Sequence, residues 1–334
     1  MTAATGRSLV VAGPGEVFLE ERTAPVPAGG EVRVLPLVVG LCGTDLEIVD
    51  GAIDPAYVRY PLVLGHEWCG VIERRGGEAT AEVVVAEGVV PCGRCERCKQ
   101  GRTNLCEIYD EIGFTRDGAA ASDLCVPASL VHLLDPAVDK AAAVLVEPSA
   151  VVYQALTRAR PLPGWRVLVI GDGPVGLLAL LLVRLWSPAV VDLVGARRAQ
   201  AELAMQAGAD AFRNPEEGGR GEYDLVIEAA GTSPAVAAAL GSARRGGVVL
   251  LLGLPNHGET TPVAGDDMVN RDLTVYASFS YTSSAFREVA SLVGSGTFNP
   301  SFLVTHRFPL EEWQQALEVL RNPVGRRGKV VLEL

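Results

Sequence analysis

No stretch of this 334-residue chain approaches the roughly 20 consecutive apolar residues that a membrane-spanning helix needs. The longest apolar run, around Val175–Leu185, is interrupted by Arg184 and follows a glycine-rich turn. The N-terminus, MTAATGRSLV, lacks the basic region, apolar stretch and cleavage site of a secretory signal. Positive charge is in deficit, with 29 Lys and Arg against 40 Asp and Glu, a net charge of −11. A chain this acidic is poorly suited to phosphate backbones or anionic membrane surfaces, so neither nucleic acid nor membrane is expected as a partner. Internal repeats and low-complexity tracts are also lacking. The expected compartment is a reducing cytoplasm.

Hydrophobic residues make up 49% of the chain, enough for a sizeable core, and the length suggests two domains. Residues 1–150 hold short apolar runs such as Glu31–Val39 and Glu82–Val90 among Gly and Pro, the pattern of a mainly β domain. The rhythm changes after Pro148. Trp165–Gly171, Ala189–Gly195, Tyr223–Gly231 and Gly246–Gly253 read as strands, with helices over Pro174–Trp186, Arg198–Ala207 and Pro234–Arg244 between them. This alternation implies a parallel sheet covered on both faces. Leu273–Ser280 and Lys329–Leu334 read as further strands, Glu216–Gly221 as a polar surface loop, and Val248–Leu252 as a candidate interface strand.

Four of the seven cysteines crowd into one segment, Cys92, Cys95, Cys98 and Cys106. In a reducing compartment such a cluster points to metal before disulfides. Four thiolates make a closed tetrahedral zinc site with no place for water, so this ion would organise a lobe and do no chemistry. A second set is Cys42-Gly-Thr-Asp45 with Gly65-His66-Glu67. Zinc catalysis needs about three protein ligands and an open position, and Cys42 and His66 offer a thiolate and an imidazole. Either residue alone would read as a small buried hydrophobe or a hydrogen-bonded histidine.

Gly171-Asp-Gly-Pro-Val-Gly176 follows a strand and opens a helix, the context a dinucleotide-binding loop requires. Gly171, Gly173 and Gly176 let the backbone approach a pyrophosphate, and Pro174 and Val175 begin the helix whose N-terminus faces it. The next strand ends at Gly195, 19 residues after Gly176, followed by Ala196, Arg197 and Arg198. Without an acid at the strand end, two arginines suit the 2′-phosphate of NADP over the 2′-hydroxyl of NAD. An earlier strand end would instead make Asp192 the ribose ligand and favour NAD.

The order Cys42-Gly-Thr-Asp, Gly65-His-Glu, the four-cysteine cluster, Glu147-Pro and Gly171-x-Gly-x-x-Gly176 resembles the zinc-containing medium-chain dehydrogenase/reductase superfamily over nearly the whole chain. That family includes alcohol, sorbitol, threonine and glucose dehydrogenases. The resemblance implies an α/β fold: a GroES-like β-rich catalytic domain over 1–150 and 284–334, and a Rossmann doubly wound parallel-sheet domain over 151–283. The structural zinc lobe would lie at about 92–106. It also implies two Zn2+ per chain, a small-molecule alcohol substrate, and a homodimer or homotetramer. Glu147 matches the third catalytic ligand, a carboxylate as in the polyol and sugar branch; otherwise it is a helix N-terminal acid. Glu67 matches a residue that approaches the metal or holds its surroundings. Thr44 matches the hydroxyl that takes the substrate proton. The liver-type relay histidine is replaced by Glu47. Glu111 matches a sugar-binding acid, with an ordinary exposed acid as the alternative.

The resemblance implies oxidation of a secondary alcohol of the polyol, sugar or aminocyclitol class, with NADP preferred over NAD. A threonine or simple secondary-alcohol dehydrogenase is the alternative within the class. A zinc-free quinone or enoyl reductase, or a non-catalytic crystallin-like protein, are rivals outside it. Two departures stand out. Arg74–Val85 lacks the Gly-Asp-Arg-Val strand expected before the cysteine cluster, and the compact chain suggests trimmed pocket loops.

Overall fold

The structure, a computed structural model, describes residues 5–73, 79–218, 222–255 and 257–334. The chain divides into two compact units. One comprises Met1–Ala150, Tyr281–Val324 and Lys329–Leu334; the other comprises Val151–Ser280 and Gly325–Gly328. The return to the first unit therefore falls at Tyr281, and four tail residues belong with the second.

The first unit is built on a seven-stranded sheet. Its order is Val304–Pro309, Lys329–Glu333, Glu31–Leu41, Glu67–Ile72, Val83–Ala86 and Val131–Leu134, with Leu124–Pro127 also paired to Glu31–Leu41. The Val-rich segment Glu31–Leu41 is its hub. Pro36 has no N–H to give the ladder, and the register against Glu67–Ile72 slips between Pro36 and Val38. Beyond the slip, Gly40 stands opposite Glu67. Leu9, Val39, Leu41, Ile48, Leu64 and Val330 form part of one fully buried core. Each such side chain contributes roughly 1.5–3 kcal/mol relative to exposure. The apolar run Glu82–Val90 forms a strand only over Val83–Ala86. Of Arg74–Val85, residues 74–78 lie outside the described residues.

The second unit carries a six-stranded, wholly parallel sheet. Its order is Ala211–Arg213, Val190–Val194, Arg166–Ile170, Tyr223–Glu228, Ala243–Leu251 and Thr274–Ala277. In chain order these are strands three, two, one, four, five and six of the unit, the doubly wound arrangement that binds a dinucleotide where the order reverses. The central strands are mostly apolar, as burial on both faces demands, with Asp192 and Glu228 as buried acids among them. One expectation is corrected. Val248–Leu252 falls largely within Ala243–Leu251, which lies between two other strands and has no free edge to offer a second subunit. The strand Ala211–Arg213 was not foreseen. The polar loop Glu216–Gly221 starts within a single 3-10 turn, Pro215–Glu217, and residues 219–221 lie outside the described residues. Among the described residues, no helix is long and apolar enough to cross a membrane.

Candidate active site and cofactor cradle

Cys42 caps the helix Gly43–Asp50, and Asp45 Oδ2 accepts the Cys42 N–H at 2.8 Å. That cap fixes the thiol at the helix mouth. His66 and Glu67 arrive where the chain enters the strand Glu67–Ile72. His66 Nε2 lies 3.2 Å from Cys42 Sγ and 4.0 Å from Glu67 Oε1. The candidate ligand atoms of Cys42, His66 and Glu67 all lie within 4.8 Å of one another. Asp45 Oδ1 lies 3.5 Å behind His66 Nδ1, within ion-pair range of the ring. Burial works against a charged His66, but Cys42 and Asp45 outweigh it and raise the ring well above its ordinary value. Burial would also raise Asp45, yet His66 and the Cys42 N–H bring it below the usual carboxylate range.

Glu67 is held from the other side. Lys329 Nζ, at the head of the last strand, lies 2.7 Å from Glu67 Oε1 and 2.5 Å from Oε2, with both side chains buried. Glu147 stands in the first turn of the helix Val146–Ala159, outside the three-ligand cluster but within its electrostatic reach. Burial first, then the charge of Glu67, push its carboxyl up to about 8. Thr44 and Glu47 lie three residues apart on the helix Gly43–Asp50, hence on one face. Burial raises Glu47 above its ordinary value.

Glu111 is not an exposed acid. It is buried, its backbone N–H is accepted by Thr115 Oγ1 at 2.7 Å, and Tyr109 donates a short hydrogen bond to Oε2. Burial raises its carboxyl, with Tyr109 and His66 offsetting only part. Tyr281 was missed in the sequence. Its hydroxyl accepts the Gly88 N–H at 2.8 Å in a buried position. Burial and the acids Glu147 and Glu111 push that hydroxyl far up.

In the lobe, the four sulfurs of Cys92, Cys95, Cys98 and Cys106 also lie within 4.8 Å of one another. Cys106 Sγ accepts from Cys92 N at 3.3 Å, and Cys92 Sγ from Cys95 N at 3.4 Å. Backbone N–H groups of Glu107 and Cys98 pull Cys95 down to about 6, while desolvation pushes Cys98 up to about 12. All seven cysteines are free thiols. A zinc tetrahedron with about 2.3 Å bonds has sulfur–sulfur edges of about 3.8 Å. The four-thiol set therefore fits zinc with small adjustments. The Cys42–His66–Glu67 set also fits, as a mixed, incomplete shell.

The second unit holds the glycine-rich candidate nucleotide loop. The strand Arg166–Ile170 passes through Gly171-Asp172-Gly173 into the helix Pro174–Val183, with Gly173 as cap and Pro174 in the first turn. A Cβ on Gly176 would lie 1.9 Å from Gly171 O, so only glycine lets the turn close. The strand Val190–Val194 ends one residue before Gly195. Asp192 lies within that strand, buried, and its Oδ2 accepts from Tyr223 Oη at 2.7 Å and Arg213 Nη2 at 3.1 Å. Its carboxylate is thus spent inside the sheet.

Gly195 is corrected in its reason. A Cβ there would lie 2.7 Å from Asp172 Cβ and 2.9 Å from Asp172 Oδ2. The space that glycine leaves is filled by Asp172. That carboxylate accepts Arg197 N at 2.8 Å through Oδ2, and Arg197 Nη2 at 2.7 Å and Nε at 3.1 Å through Oδ1. Arg198 is exposed.

A β-rich unit with a mixed set and a four-cysteine set that could each hold zinc, in one chain with a doubly wound parallel-sheet unit, defines a zinc-type, nicotinamide-dependent alcohol dehydrogenase. Comparison with known proteins agrees. The model of the alcohol dehydrogenase GroES-like domain matches residues 28–136, and that of the glucose dehydrogenase C-terminus matches residues 140–334. The chain is 31% identical to L-galactonate-5-dehydrogenase of Escherichia coli over 333 residues, 96% of each chain. It is 30% identical to sorbitol dehydrogenase of Bacillus subtilis, over 91% of this chain and 90% of that one. It is 32% identical to L-threonine 3-dehydrogenase of Bacillus licheniformis, over 96% of each. A zinc-binding dehydrogenase of Sinorhizobium meliloti, solved bound to NADP, superposes with a TM-score of 0.91 at 27% identity, covering 99% of this chain and 100% of that one. An Escherichia coli alcohol dehydrogenase (rspB) complexed with NADH superposes at 0.89 and 27% identity, covering 99% of each. The chain belongs to the zinc-containing medium-chain dehydrogenase superfamily.

Proposed function

We propose that this chain oxidises a secondary alcohol of the polyol, sugar or aminocyclitol class, with NADP preferred over NAD. One zinc would be held by Cys42 and His66 with Glu67 or Glu147, and a second by Cys92, Cys95, Cys98 and Cys106. The observation that carries the reading is the convergence of Cys42, His66 and Glu67 with Glu111 and Glu147 set in the same unit. When bound, zinc supplies Lewis-acid polarisation of the alcohol oxygen, and the nicotinamide supplies a hydride acceptor. Thr44 takes the substrate proton at its hydroxyl, and Glu47, one turn along, offers the way out. Glu111, steadied by Tyr109, accepts from a second substrate hydroxyl. A substrate with several hydroxyls uses these acids; a plain alcohol leaves them buried and unmatched.

Arg197 is the residue assigned to the 2′-phosphate, and Gly171, Gly173, Pro174, Val175 and Gly176 to the pyrophosphate. Asp172 supports a second reading: an acid beside Gly195 can accept from the 2′-hydroxyl of NAD. Threonine or a simple secondary alcohol is a second substrate reading, supported by the threonine dehydrogenase relative. The protein would work in the cytoplasm as a homodimer or homotetramer.

The test is a screen of sugars, polyols, aminocyclitols, threonine and simple secondary alcohols with NADP and NAD, alongside zinc analysis. Turnover of a polyhydroxylated substrate with about two zinc per chain is expected. Zinc-free protein without turnover overturns the assignment, and turnover of threonine or plain alcohols alone overturns the substrate class.

A further inference from the structure

Asp172 and Arg197 form a pair whose charges cancel. The guanidinium grips the carboxylate through two nitrogens and also donates from Nη2 to the Asp172 carbonyl at 3.1 Å. Taken alone, this pair presents no net charge to an incoming phosphate. Arg197 Nη1 is buried without a hydrogen-bond partner.

The main chain of a second arginine, Arg327, is brought to the same place from the tail of the chain. Gln200, fully buried, donates from Nε2 to the Asp172 carbonyl at 2.7 Å and to the Arg327 carbonyl at 2.8 Å. Its Oε1 accepts the Arg327 N–H at 2.8 Å. One side chain thus staples residue 327 to the nucleotide loop, 127 positions away in sequence. These residues, with Gly325–Gly328, belong to the second unit. Burial and then the like charge of Arg197 lower the Arg327 pKa, with Asp172 opposing. All three charges therefore act on one another. Two like charges in a half-buried cluster with a single carboxylate are costly in the free protein. An anion sharing the site would offset that cost.

We propose that Arg327, held by Gln200, is a second cation beside Arg197 that recognises the 2′-phosphate of NADP. The inference rests on the NADP reading above. Arg327 turns the neutral Asp172–Arg197 pair into a site of net positive charge, which a dianionic phosphate matches and a ribose hydroxyl does not.

The test needs no turnover. Calorimetric titration of the zinc-loaded protein with adenosine 2′,5′-bisphosphate and with AMP gives the preference for the 2′-phosphate directly. The wild type should bind the bisphosphate at least about tenfold more tightly, the equivalent of one charge-assisted contact. Arg327→Gln should cut that preference about tenfold with little change for AMP. Arg327→Lys, which keeps the charge and disturbs folding least, should retain part of it. The main-chain bonds to Gln200 survive either change, and the melting temperature checks that they do. If both variants keep the wild-type preference while Arg197→Ala loses it, Arg327 has no such role and the NADP reading stands. Equal binding of the two probes by the wild type would overturn the NADP reading and this inference with it.

Discussion

The two clusters of the first unit that could hold a metal differ in what surrounds them. In the lobe, the sulfurs of Cys92, Cys95, Cys98 and Cys106 are met mainly by one another and by backbone N–H groups from the same short loop. Everything the set needs lies between residues 92 and 108. At Cys42, His66 and Glu67 the donors are of three kinds, and two further side chains steady them, with Asp45 serving both Cys42 and His66. Asp45 stands behind His66, and Lys329, 262 positions from its partner, holds Glu67. Four identical donors complete a shell and leave no room for substrate. Three unlike donors leave a position open, and a buried carboxylate already paired with a lysine can approach or withdraw. The lobe is thereby suited to holding a loop, the mixed site to chemistry.

Removing one ligand from each cluster should separate the roles. Cys42→Ala should lower kcat/KM by at least about a thousandfold, or about 4 kcal/mol of transition-state stabilisation, while the lobe keeps its zinc and the melting temperature holds. A variant that retains most of its alcohol oxidation would refute the catalytic assignment. Lys329→Met tests the surroundings of the same site. It strands Glu67 as a buried, unpaired carboxylate, a loss of about 3–5 kcal/mol by analogy with other broken buried pairs. Urea unfolding at neutral pH measures it. A loss below about 1 kcal/mol would mean that Glu67 finds another partner, the metal being the obvious one.

The same contrast explains what could be read from the sequence. Cys92 to Cys106 and Gly171 to Gly176 are legible because their geometry is set by spacing within one loop. Glu67–Lys329, Gln200–Arg327 and Arg197–Asp172 are not, because each pairs residues that only the sheet order brings together. Gly195 was legible as a glycine at a strand end, but not the reason for it. The acid that fills its space comes from the neighbouring strand's loop, so an aspartate introduced there would collide before it could change cofactor preference. Tyr281 gave no local signal, since its hydroxyl is met by Gly88, 193 positions earlier. The helix Trp313–Arg321 did carry a signal. Ala316, Leu317 and Leu320 recur at helical spacing and are the residues it buries.

For the lobe, the matching deletion is Cys95→Ser. Structural zinc contributes folding free energy directly. Calorimetric melting should fall by roughly 5–10 °C, a range expected for loss of a few stabilising contacts in a large domain. Bound zinc should drop from about two to about one per chain, with kcat per folded molecule little changed. If melting and zinc content both stay at the wild-type level, the cluster is not a metal site.

The smallest expected effect concerns how the lobe is fastened to its unit. Thr103, inside the lobe, accepts the backbone N–H of Ser283 at 2.9 Å, at the start of the helix Ser283–Gly294. Ser283 Oγ reaches Thr103 Oγ1 at 3.2 Å and also donates to Glu87, which His132 contacts from the other side at 3.2 Å. Thr103→Val keeps the shape but removes the acceptor. The Ser283 N–H, half-buried at a helix N-terminus, then loses its partner, a loss of about 1 kcal/mol. Ser283 Oγ keeps Glu87, so the hydroxyl itself stays satisfied. Melting should fall by roughly 2–4 °C, with zinc content and kcat unchanged, because neither ligand set is touched. A fall in kcat at constant zinc content would show that the lobe acts on the reaction through this tie, and the division between a structural and a chemical cluster would then fail.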